Sequence, residues 1–272
     1  MSTQNSDKQF TGSIPEIYEN YLVPLIFEEY ARDLADRVKQ QPVASVLEIA
    51  AGTGVVTRAV VDALESQVSI TATDLNQAML DHAASVRADE NVTWREADAQ
   101  ALPFENDCFD VVLCQFGVMF FPERVKAYSE AFRVLKPGGR YIFNVWDKIE
   151  NNEFAETVTE SLASVFPGDP PRFLARTPHG YFDHADITSD LKAGGFNATL
   201  QFDTVTAKSI AQSPSIPAIA YCQGTPLRNE IESRDATLLE HATKVATSAL
   251  TSQFGEGVIE GKIQAHVVTV TA

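Results

Sequence analysis

The sequence is poor in cysteine, poor in basic residues relative to acidic ones, and free of long apolar runs. Its three cysteines, Cys108, Cys114 and Cys222, form no CxxC pair and have no histidine at ligand spacing. This argues against a disulfide framework and a zinc site, so we expect no metal. The 21 basic residues stand against 37 acidic ones, for a formal net charge of -16. Nucleic acids and anionic membranes are bound largely through lysine and arginine, so we expect neither as a partner.

Two further absences concern the location of the protein. No stretch approaches the roughly 20 apolar residues that a membrane-spanning helix needs. The polar segment 1–9 lacks the apolar core of a signal peptide. We therefore expect a cytoplasmic protein without membrane insertion.

A repeated strand–helix alternation begins near Val43. Short apolar runs over 46–50, 68–73, 92–95, 110–116 and 140–146 predict strands, and the stretches between several of them have helical spacing. Such alternation is typical of a parallel sheet with right-handed crossovers. Two later strands, over 196–208 and 261–272, are expected to pair antiparallel at one edge. We predict an α/β fold: a Rossmann-like, seven-stranded, mostly parallel sheet with helices on both faces and a helical cap.

The same reading divides the 272 residues into four segments. The predicted segments are an N-terminal helical cover over 1–42, a cofactor-binding core over 43–148, a helical cap over 149–195, and the last two strands over 196–272 with a helical lid at 213–254.

A glycine turn follows the first predicted strand. Gly52 and Gly54 lie between this strand and a helix, where a ligand can approach the backbone and the N–H groups of the helix start. Asp74 stands twenty residues after Gly54, at the end of the second predicted strand. In a doubly wound sheet, an acidic side chain there accepts hydrogen bonds from the ribose of a nucleotide-like ligand. The alternatives are an ordinary glycine turn and an Asp74 that only caps the next helix.

Four motifs between Val46 and Trp146 carry a family resemblance. The segment 48–54 resembles motif I of class I S-adenosylmethionine-dependent methyltransferases, with Ala50 where the first glycine often lies. The segments 96–104, 109–117 and 135–139 are similar to the later motifs of the branch that contains ubiquinone/menaquinone-biosynthesis methyltransferases (methyltransferase type 11 like). Outside these motifs the resemblance is weak.

The resemblance implies a site residue by residue. Glu48 and the loop 50–54 would hold the amino acid end of S-adenosylmethionine, Asp74 the ribose diol, Asp98 and Ala99 the adenine edge, and Gln115 the methionine end. The full set of expected cofactor-binding residues is Tyr21, Glu48, Ala50, Ala51, Gly52, Thr53, Gly54, Asp74, Leu75, Met79, Asp98, Ala99, Gln115 and Phe116. For Gln115 the alternative is hydrogen bonding at the sheet end.

The acceptor side has weaker signals. Aromatic residues near the N-terminus, Phe10, Tyr18 and Tyr21, cover the cofactor or belong to the core. His179 and His184 are weak candidates for a general base, because imidazole can take a proton from an oxygen or nitrogen nucleophile. The alternative for both is a structural or surface role.

These observations predict an enzyme that transfers a methyl group in line from S-adenosylmethionine to a small-molecule acceptor and releases S-adenosylhomocysteine. Two other functions stay open: an NAD-dependent oxidoreductase on the same sheet, and a cofactor-binding regulator without activity. The oxidoreductase is disfavoured by Thr57, which stands where the GxGxxG pattern requires its third glycine. A homodimer is compatible with the sequence.

Overall fold

The structure, a computed structural model, describes residues 14–272, with side chains from Glu16 onward. It contains a seven-stranded sheet in the order β3-β2-β1-β4-β5-β7-β6. The strands are β1 (Ser45–Ile49), β2 (Ser69–Asp74), β3 (Val92–Glu96), β4 (Phe109–Gln115), β5 (Leu135–Trp146), β6 (Gln201–Ala211) and β7 (Ile259–Thr271). The predicted α/β class and strand number are confirmed.

The first five strands are parallel. β2 and β3 lie on one side of β1, whereas β4 and β5 lie on its other side, so the strand order switches at β1. β1 pairs with β2 on one side and with β4 on the other, through Glu48↔Ala72 and Glu48↔Leu113. Ligands of open α/β sheets bind at such a switch point, beyond the carboxyl ends of the strands. The sheet order therefore predicts a ligand site beside the residues that follow β1 and β4.

β7 is antiparallel to both of its neighbours. Next to β5, the Gly138 N–H donates to the Ala272 carbonyl and the Asp147 N–H donates to the Gln264 carbonyl, so residue numbers rise along one strand as they fall along the other. Next to β6, Thr204 contacts His266 and Thr206 contacts Gln264 in the same sense. The expected antiparallel pairing of the last two strands is confirmed.

The helices follow the predicted alternation in the first half of the chain and fill much of the second half. They are α1 (Ile14–Ile17), α2 (Glu28–Val38), α3 (Val55–Ala63), α4 (Gln77–Val86), α5 (Arg124–Val134), α6 (Glu153–Ser161), α7 (Phe173–Arg176), α8 (His184–Ala193), α9 (Ser215–Gln223), α10 (Leu227–Asp235) and α11 (Leu239–Phe254). A π-helix, Tyr18–Phe27, connects α1 to α2 and contains Pro24. Proline lacks the N–H that a helix interior uses, and a π-helical segment is one way to accommodate that loss.

The chain forms two compact units. The sheet unit consists of Glu28–Val145, Tyr181–Val205 and His266–Ala272; the helical unit consists of Trp146–Gly180, Thr206–Ala265 and the described part of Met1–Phe27. These ranges differ from the four predicted segments, which stay a prediction. Phe10 lies outside the described residues.

Each unit has its own packing. In the sheet unit, aliphatic side chains of α2 and α3 pack with those of the central strands around Val46, Ile70 and Val111, all at most 1% exposed. In the helical unit, Phe154 of α6 meets Phe254 of α11 edge-on at 5.0 Å. No helix within 14–272 is long and apolar enough to cross a membrane.

Candidate functional site

The loop after β1 is held in left-handed backbone conformations. Ala50, Gly52 and Gly54 have φ values of 55°, 56° and 81°. A Cβ atom at Gly54 would lie 2.7 Å from the Trp94 ring, so this position requires glycine for both conformation and space. Ala50 adopts the same region with a methyl group, at a typical cost of about 1–2 kcal/mol. The left-handed backbone explains why glycine suits the position that Ala50 occupies.

The loop ends at the start of α3, where residues 14–272 provide no side-chain cap for the helix and no partner for the Thr53 hydroxyl. Gly54 is the N-cap residue of α3 and provides no side-chain cap for the first N–H groups of the helix. The Thr53 side chain is 1% exposed, and its hydroxyl has no hydrogen-bond partner among residues 14–272. A buried hydroxyl without a partner is unfavourable, so a polar ligand at this turn would relieve its cost.

Glu48 is a buried carboxyl group at the end of β1, with 2% of its surface exposed. Its Oε2 accepts a hydrogen bond of 2.5 Å from the Thr57 hydroxyl on α3. Burial raises the pKa of Glu48 to about 8; the Thr57 hydrogen bond and the Arg58 charge oppose the rise, whereas the neighbouring Asp74 charge adds to it. The free site therefore favours a cationic ligand group that can compensate the ionised carboxylate.

Asp74 fixes the glycine loop and does not cap the next helix. Its Oδ2 accepts from the Gly52 N–H at 2.9 Å and its Oδ1 from the Asn76 N–H at 2.8 Å. The N-cap of α4 is Asn76, whose side chain accepts from the Ala78 N–H, so the alternative role as a helix cap is wrong. Burial raises the pKa of Asp74, although its backbone hydrogen bonds act in the opposite direction. The backbone of Leu75 also donates to this carboxylate, and since a carboxylate can accept about four hydrogen bonds, one position is left for a ligand hydroxyl.

Asp98 lies beside Asp74 because a backbone hydrogen bond joins the ends of β2 and β3. The Ala97 N–H donates to the Asp74 carbonyl at 2.9 Å, and Asp98 follows directly. Its Oδ1 accepts from the Gln100 N–H at 2.8 Å, and Ala99 is buried. Leu75 is 57% exposed, an apolar side chain open to solvent next to the acidic pair.

The end of β4 closes the same region from the other side. A Cβ atom at Gly117 would lie 2.7 Å from the Ala50 methyl group, so the chain after β4 touches the glycine loop. Gln115 pairs in register with Asn144 of β5, and their side-chain amides lie 3.5 Å apart. Phe116, with φ 50°, donates its N–H to the Asn144 side-chain oxygen at 2.9 Å. Strained non-glycine residues of this kind concentrate at functional sites.

The remaining predicted residues are distributed over both units. In the sheet unit, the Met79 methyl group would lie 3.8 Å from a Cβ atom at Gly52. His184 begins α8 on the surface, stacked on Phe202 with ring centres 4.2 Å apart. Tyr21 and His179 belong to the helical unit. Most of the predicted cofactor-binding residues thus lie at one edge of the sheet unit, and their binding role stays a proposal. They are Glu48, loop 50–54, Asp74, Leu75, Met79, Asp98, Ala99, Gln115 and Phe116.

Sequence reasoning missed two polar residues of this edge, Thr57 and Asn144. In the sequence, Thr57 only shows that the third glycine of a GxGxxG pattern is missing. In the structure, its hydroxyl donates a hydrogen bond to Glu48. Asn144 is fully buried between apolar residues of β5, and a buried amide in such a strand is a signal that can be read from sequence. Within 14–272, no group of three or more histidine, cysteine or acidic side chains is arranged to hold a metal ion.

Comparison with known proteins agrees with this geometry. Residues 46–139 match a family model described as a methyltransferase domain. A ubiquinone/menaquinone biosynthesis C-methyltransferase of Rhizobium etli is 36% identical over 178 residues, which cover 58% of this chain and 67% of that protein. The corresponding Brucella abortus protein is 36% identical over 115 residues, 41% of this chain and 43% of the relative. The chain thus spans less than half the length of that relative.

A solved structure supports the fold. A Haemonchus contortus phosphoethanolamine N-methyltransferase, in complex with phosphomonomethylethanolamine and S-adenosylhomocysteine, aligns with a TM-score of 0.61 at 16% identity, over 100% of this chain and 60% of that chain. Sheet order and switch-point loop together define a Rossmann-like methyltransferase fold. The chain belongs to the class I S-adenosylmethionine-dependent methyltransferase family, in the branch of the ubiquinone/menaquinone-biosynthesis type.

Proposed function

We propose that the protein binds S-adenosylmethionine at the edge formed by β1, β2 and β4, and transfers its methyl group to a small-molecule acceptor. The observation that carries the proposal is the junction of the glycine loop with Asp74, whose carboxylate accepts from the Gly52 N–H. This contact joins the segment that would hold the amino acid end to the side chain that would hold the ribose. The cofactor supplies an electrophilic methyl group on a sulfonium.

The residues at this edge fit the chemical groups of that cofactor. The carboxylates of Glu48 and Asp74 favour a ligand that carries positive charge on an ammonium and a sulfonium. The N–H groups at the start of α3 suit the cofactor carboxylate. The remaining acceptor position of Asp74 suits a ribose hydroxyl, and the exposed Leu75 side chain suits the adenine face. The unpartnered Thr53 hydroxyl would gain a polar neighbour.

The chemical step that we propose is an in-line displacement at the methyl carbon. It needs alignment of nucleophile, methyl and sulfur with little water present, so the contribution of the protein is mainly proximity and electrostatics. A small-molecule acceptor agrees with the relatives, which are called a ubiquinone/menaquinone biosynthesis C-methyltransferase and a phosphoethanolamine N-methyltransferase. Tyr21 as a cofactor contact, a cytoplasmic location, a homodimer and the absence of nucleic-acid partners remain parts of the proposal.

The rival dinucleotide function is opposed by a specific contact. The third glycine of GxGxxG permits close packing of helix on strand. Here the position belongs to Thr57, which is 1% exposed and bonded to Glu48. The space that a dinucleotide-type packing requires is therefore filled by a side chain with a partner.

Isothermal calorimetry with S-adenosylhomocysteine and with NAD tests the cofactor proposal. We expect binding of S-adenosylhomocysteine and no measurable heat with NAD. Asp74→Asn should weaken S-adenosylhomocysteine binding at least tenfold, because it replaces an acceptor of the Gly52 N–H and a ribose hydroxyl by an amide; this corresponds to about 1.4 kcal/mol. Asp81→Asn is the matched control, since Asp81 is an exposed carboxylate on α4.

Preference for NAD, or equal affinities of the Asp74 and Asp81 variants, would overturn the cofactor assignment. Activity is tested separately, by release of S-adenosylhomocysteine during incubation with S-adenosylmethionine and a broad metabolite panel. Binding of the cofactor without turnover of any panel member would favour the alternative of a binding regulator.

A further inference from the structure

The Gln100 side chain joins the two loops that follow β3 and β4 in the sheet unit. Its Nε2 donates to Asp98 Oδ1 at 3.1 Å and lies 3.4 Å from Asp98 Oδ2, and its Oε1 accepts from the Glu123 N–H at 2.9 Å. The Gln100 backbone N–H also donates to Asp98 Oδ1, at 2.8 Å. One side chain therefore connects the Asp98 carboxylate to Glu123, the N-cap residue of α5.

The loop after β3 has a second anchor on α5 that does not depend on Gln100. The Glu130 carboxylate accepts from the Leu102 N–H at 2.8 Å, and the Arg133 guanidinium donates to the Leu102 carbonyl at 2.9 Å. Glu130 and Arg133 form an ion pair with each other at 2.8 Å. We therefore expect the loop to keep its backbone when the Gln100 side chain is removed, while the Asp98 carboxylate loses a donor that orients it.

The two oxygens of the Asp98 carboxylate differ in what they can still accept. Oδ1 accepts from both the backbone N–H and the side-chain amide of Gln100, whereas the contact of Oδ2 with that amide is long, at 3.4 Å. A carboxylate can accept about four hydrogen bonds. The carboxylate is partly exposed. Because Oδ1 is held by two donors, Oδ2 is the oxygen with more room for a ligand N–H group.

The amide of Gln100 can orient this carboxylate without neutralising it. A lysine or arginine would also donate to Asp98, but its positive charge would compete with a ligand for the same oxygens. A carboxylate that is already oriented loses less side-chain freedom when it binds an N–H donor. It also disfavours a ligand that carries a carbonyl oxygen at the same place, because two acceptors would then lie against each other.

We propose that Gln100 is a positioning residue for recognition of the adenine ring. It orients Asp98 so that the carboxylate accepts from the exocyclic amino group, and it thereby strengthens the preference of the site for an amino group over a carbonyl group at that ring position. The inference rests on the proposed function, in which Asp98 binds the adenine edge. In this role Gln100 acts through Asp98.

A matched pair of ligands tests the proposal: S-adenosylhomocysteine, and S-inosylhomocysteine, which carries a carbonyl oxygen in place of the adenine amino group. Calorimetry on the full chain should show a preference for S-adenosylhomocysteine of about tenfold or more. Gln100→Leu should weaken S-adenosylhomocysteine binding about three- to tenfold and S-inosylhomocysteine binding less than about twofold. Gln67→Leu is the matched control, since the exposed Gln67 side chain also donates to a carboxylate, that of Glu65, but precedes β2.

A second pair of variants separates positioning from direct contact with the ligand. Asp98→Ala should remove the preference between the two ligands, and the addition of Gln100→Leu should then change neither affinity by more than about twofold. A further selective loss of S-adenosylhomocysteine binding in the double variant would mean that Gln100 contacts the ring itself, and would overturn the positioning role. Should Gln100→Leu fail to fold, ¹⁵N NMR of the unaltered chain decides: the Gln100 side-chain amide should shift distinctly more with S-adenosylhomocysteine, and equal shifts with both ligands would overturn the proposal.

The same titrations distinguish failure of this inference from failure of the proposed function. Normal S-adenosylhomocysteine binding to the unaltered chain, with an equal loss for both ligands in Gln100→Leu, would show a purely structural role and refute this inference alone. Equal affinities of the unaltered chain for the two ligands would refute it as well. No binding of either ligand to the unaltered chain would refute the proposed function and this inference with it.

Discussion

Under the proposed function, Glu48 couples the stability of the fold to ligand binding. Its carboxyl group is buried at the end of the central strand and has a pKa of about 8. An acid whose pKa is higher in the folded protein than in the unfolded chain destabilises the fold progressively as the pH rises from the unfolded to the folded pKa. A cationic ligand group next to Glu48 would reverse this effect by favouring the ionised form. The number of protons released on ligand binding therefore measures the change in ionisation of Glu48.

We predict that S-adenosylmethionine binding at pH 7 releases up to about one proton, because Glu48 is mostly protonated in the free protein and ionised beside the cofactor ammonium. Calorimetry in two buffers of different ionisation enthalpy measures this release. Glu48→Gln should remove it and should raise the melting temperature of the free protein at pH 8.5 relative to the unaltered chain. Binding heats that do not depend on the buffer would contradict the prediction.

At the scale of single elements, the C-terminal end of α2 is held by a buried cation. Arg140, at 7% exposure, donates from its guanidinium to the carbonyls of Arg37 and Val38 at 3.1 and 2.9 Å. Burial lowers the pKa of Arg140. A positive charge at the carboxyl end of a helix is favoured by the helix dipole. The Arg37 carbonyl otherwise accepts only a long hydrogen bond of 3.4 Å from the Gln40 N–H, so Arg140 supplies the shorter contact at this helix end.

Arg140→Met should therefore reduce the free energy of unfolding by about 2–3 kcal/mol, because two carbonyls lose a charged donor. Urea denaturation measures the change, and Arg32→Met is the control. Arg32 lies on the same helix but is 64% exposed in its ion pairs with Glu28 and Glu29, so its loss should change stability by less than about 1 kcal/mol. S-adenosylhomocysteine affinity should remain unchanged, since Arg140 lies early in β5 and Asn144 nearer the candidate site. Equal losses in both variants would refute the capping role.

Elements whose structure follows from local pattern were predictable, and those set by distant contacts were not. The apolar run 46–50 corresponds to β1 with a shift of one residue. The last strands were less well placed: β6 begins at Gln201, although the strand was predicted from Phe196. Phe196 is instead buried by ring contacts with Phe132 and Tyr141, at 5.2 and 5.8 Å. An apolar residue anchored by tertiary packing resembles a strand residue in sequence.

In the candidate site, too, the parts that follow from local sequence were predictable and the parts set by distant contacts were not. The glycine loop and Asp74 belong to short motifs with fixed spacing, so their juxtaposition could be expected from the topology of a parallel sheet. The hydrogen bond from the Thr57 hydroxyl to Glu48 was not predicted, because nothing in the local sequence marks the Thr57 side chain as a partner of a strand-end carboxyl group. The π-helix Tyr18–Phe27 was likewise missed, because its apolar residues satisfy ordinary helical spacing.

At the scale of the whole molecule, the acidic balance has a measurable consequence. A formal charge of -16 creates a negative potential that attracts cations over distances up to the Debye length, about 10 Å at 0.1 M salt. S-adenosylmethionine carries a sulfonium charge that S-adenosylhomocysteine lacks. The two ligands should therefore respond differently to screening.

We predict that raising potassium chloride from 20 to about 300 mM weakens S-adenosylmethionine binding several-fold and S-adenosylhomocysteine binding distinctly less, because salt screens the attraction of the net positive ligand. Calorimetric titrations at both salt concentrations measure the two slopes. Identical slopes would mean that the acidic surface has no influence on the ligand.

The position of β1 between β2 and β4 also constrains the order in which a growing polypeptide becomes competent to bind. During translation, the glycine loop and Asp74 leave the ribosome well before Val111–Leu113, which complete the other flank of β1. In a nascent chain that stops before residue 111, β1 lacks its hydrogen-bonding partner β4, and the candidate site lacks the residues that follow β4. We therefore expect ribosome-bound chains to acquire S-adenosylhomocysteine affinity abruptly, once β4 has emerged and inserted beside β1.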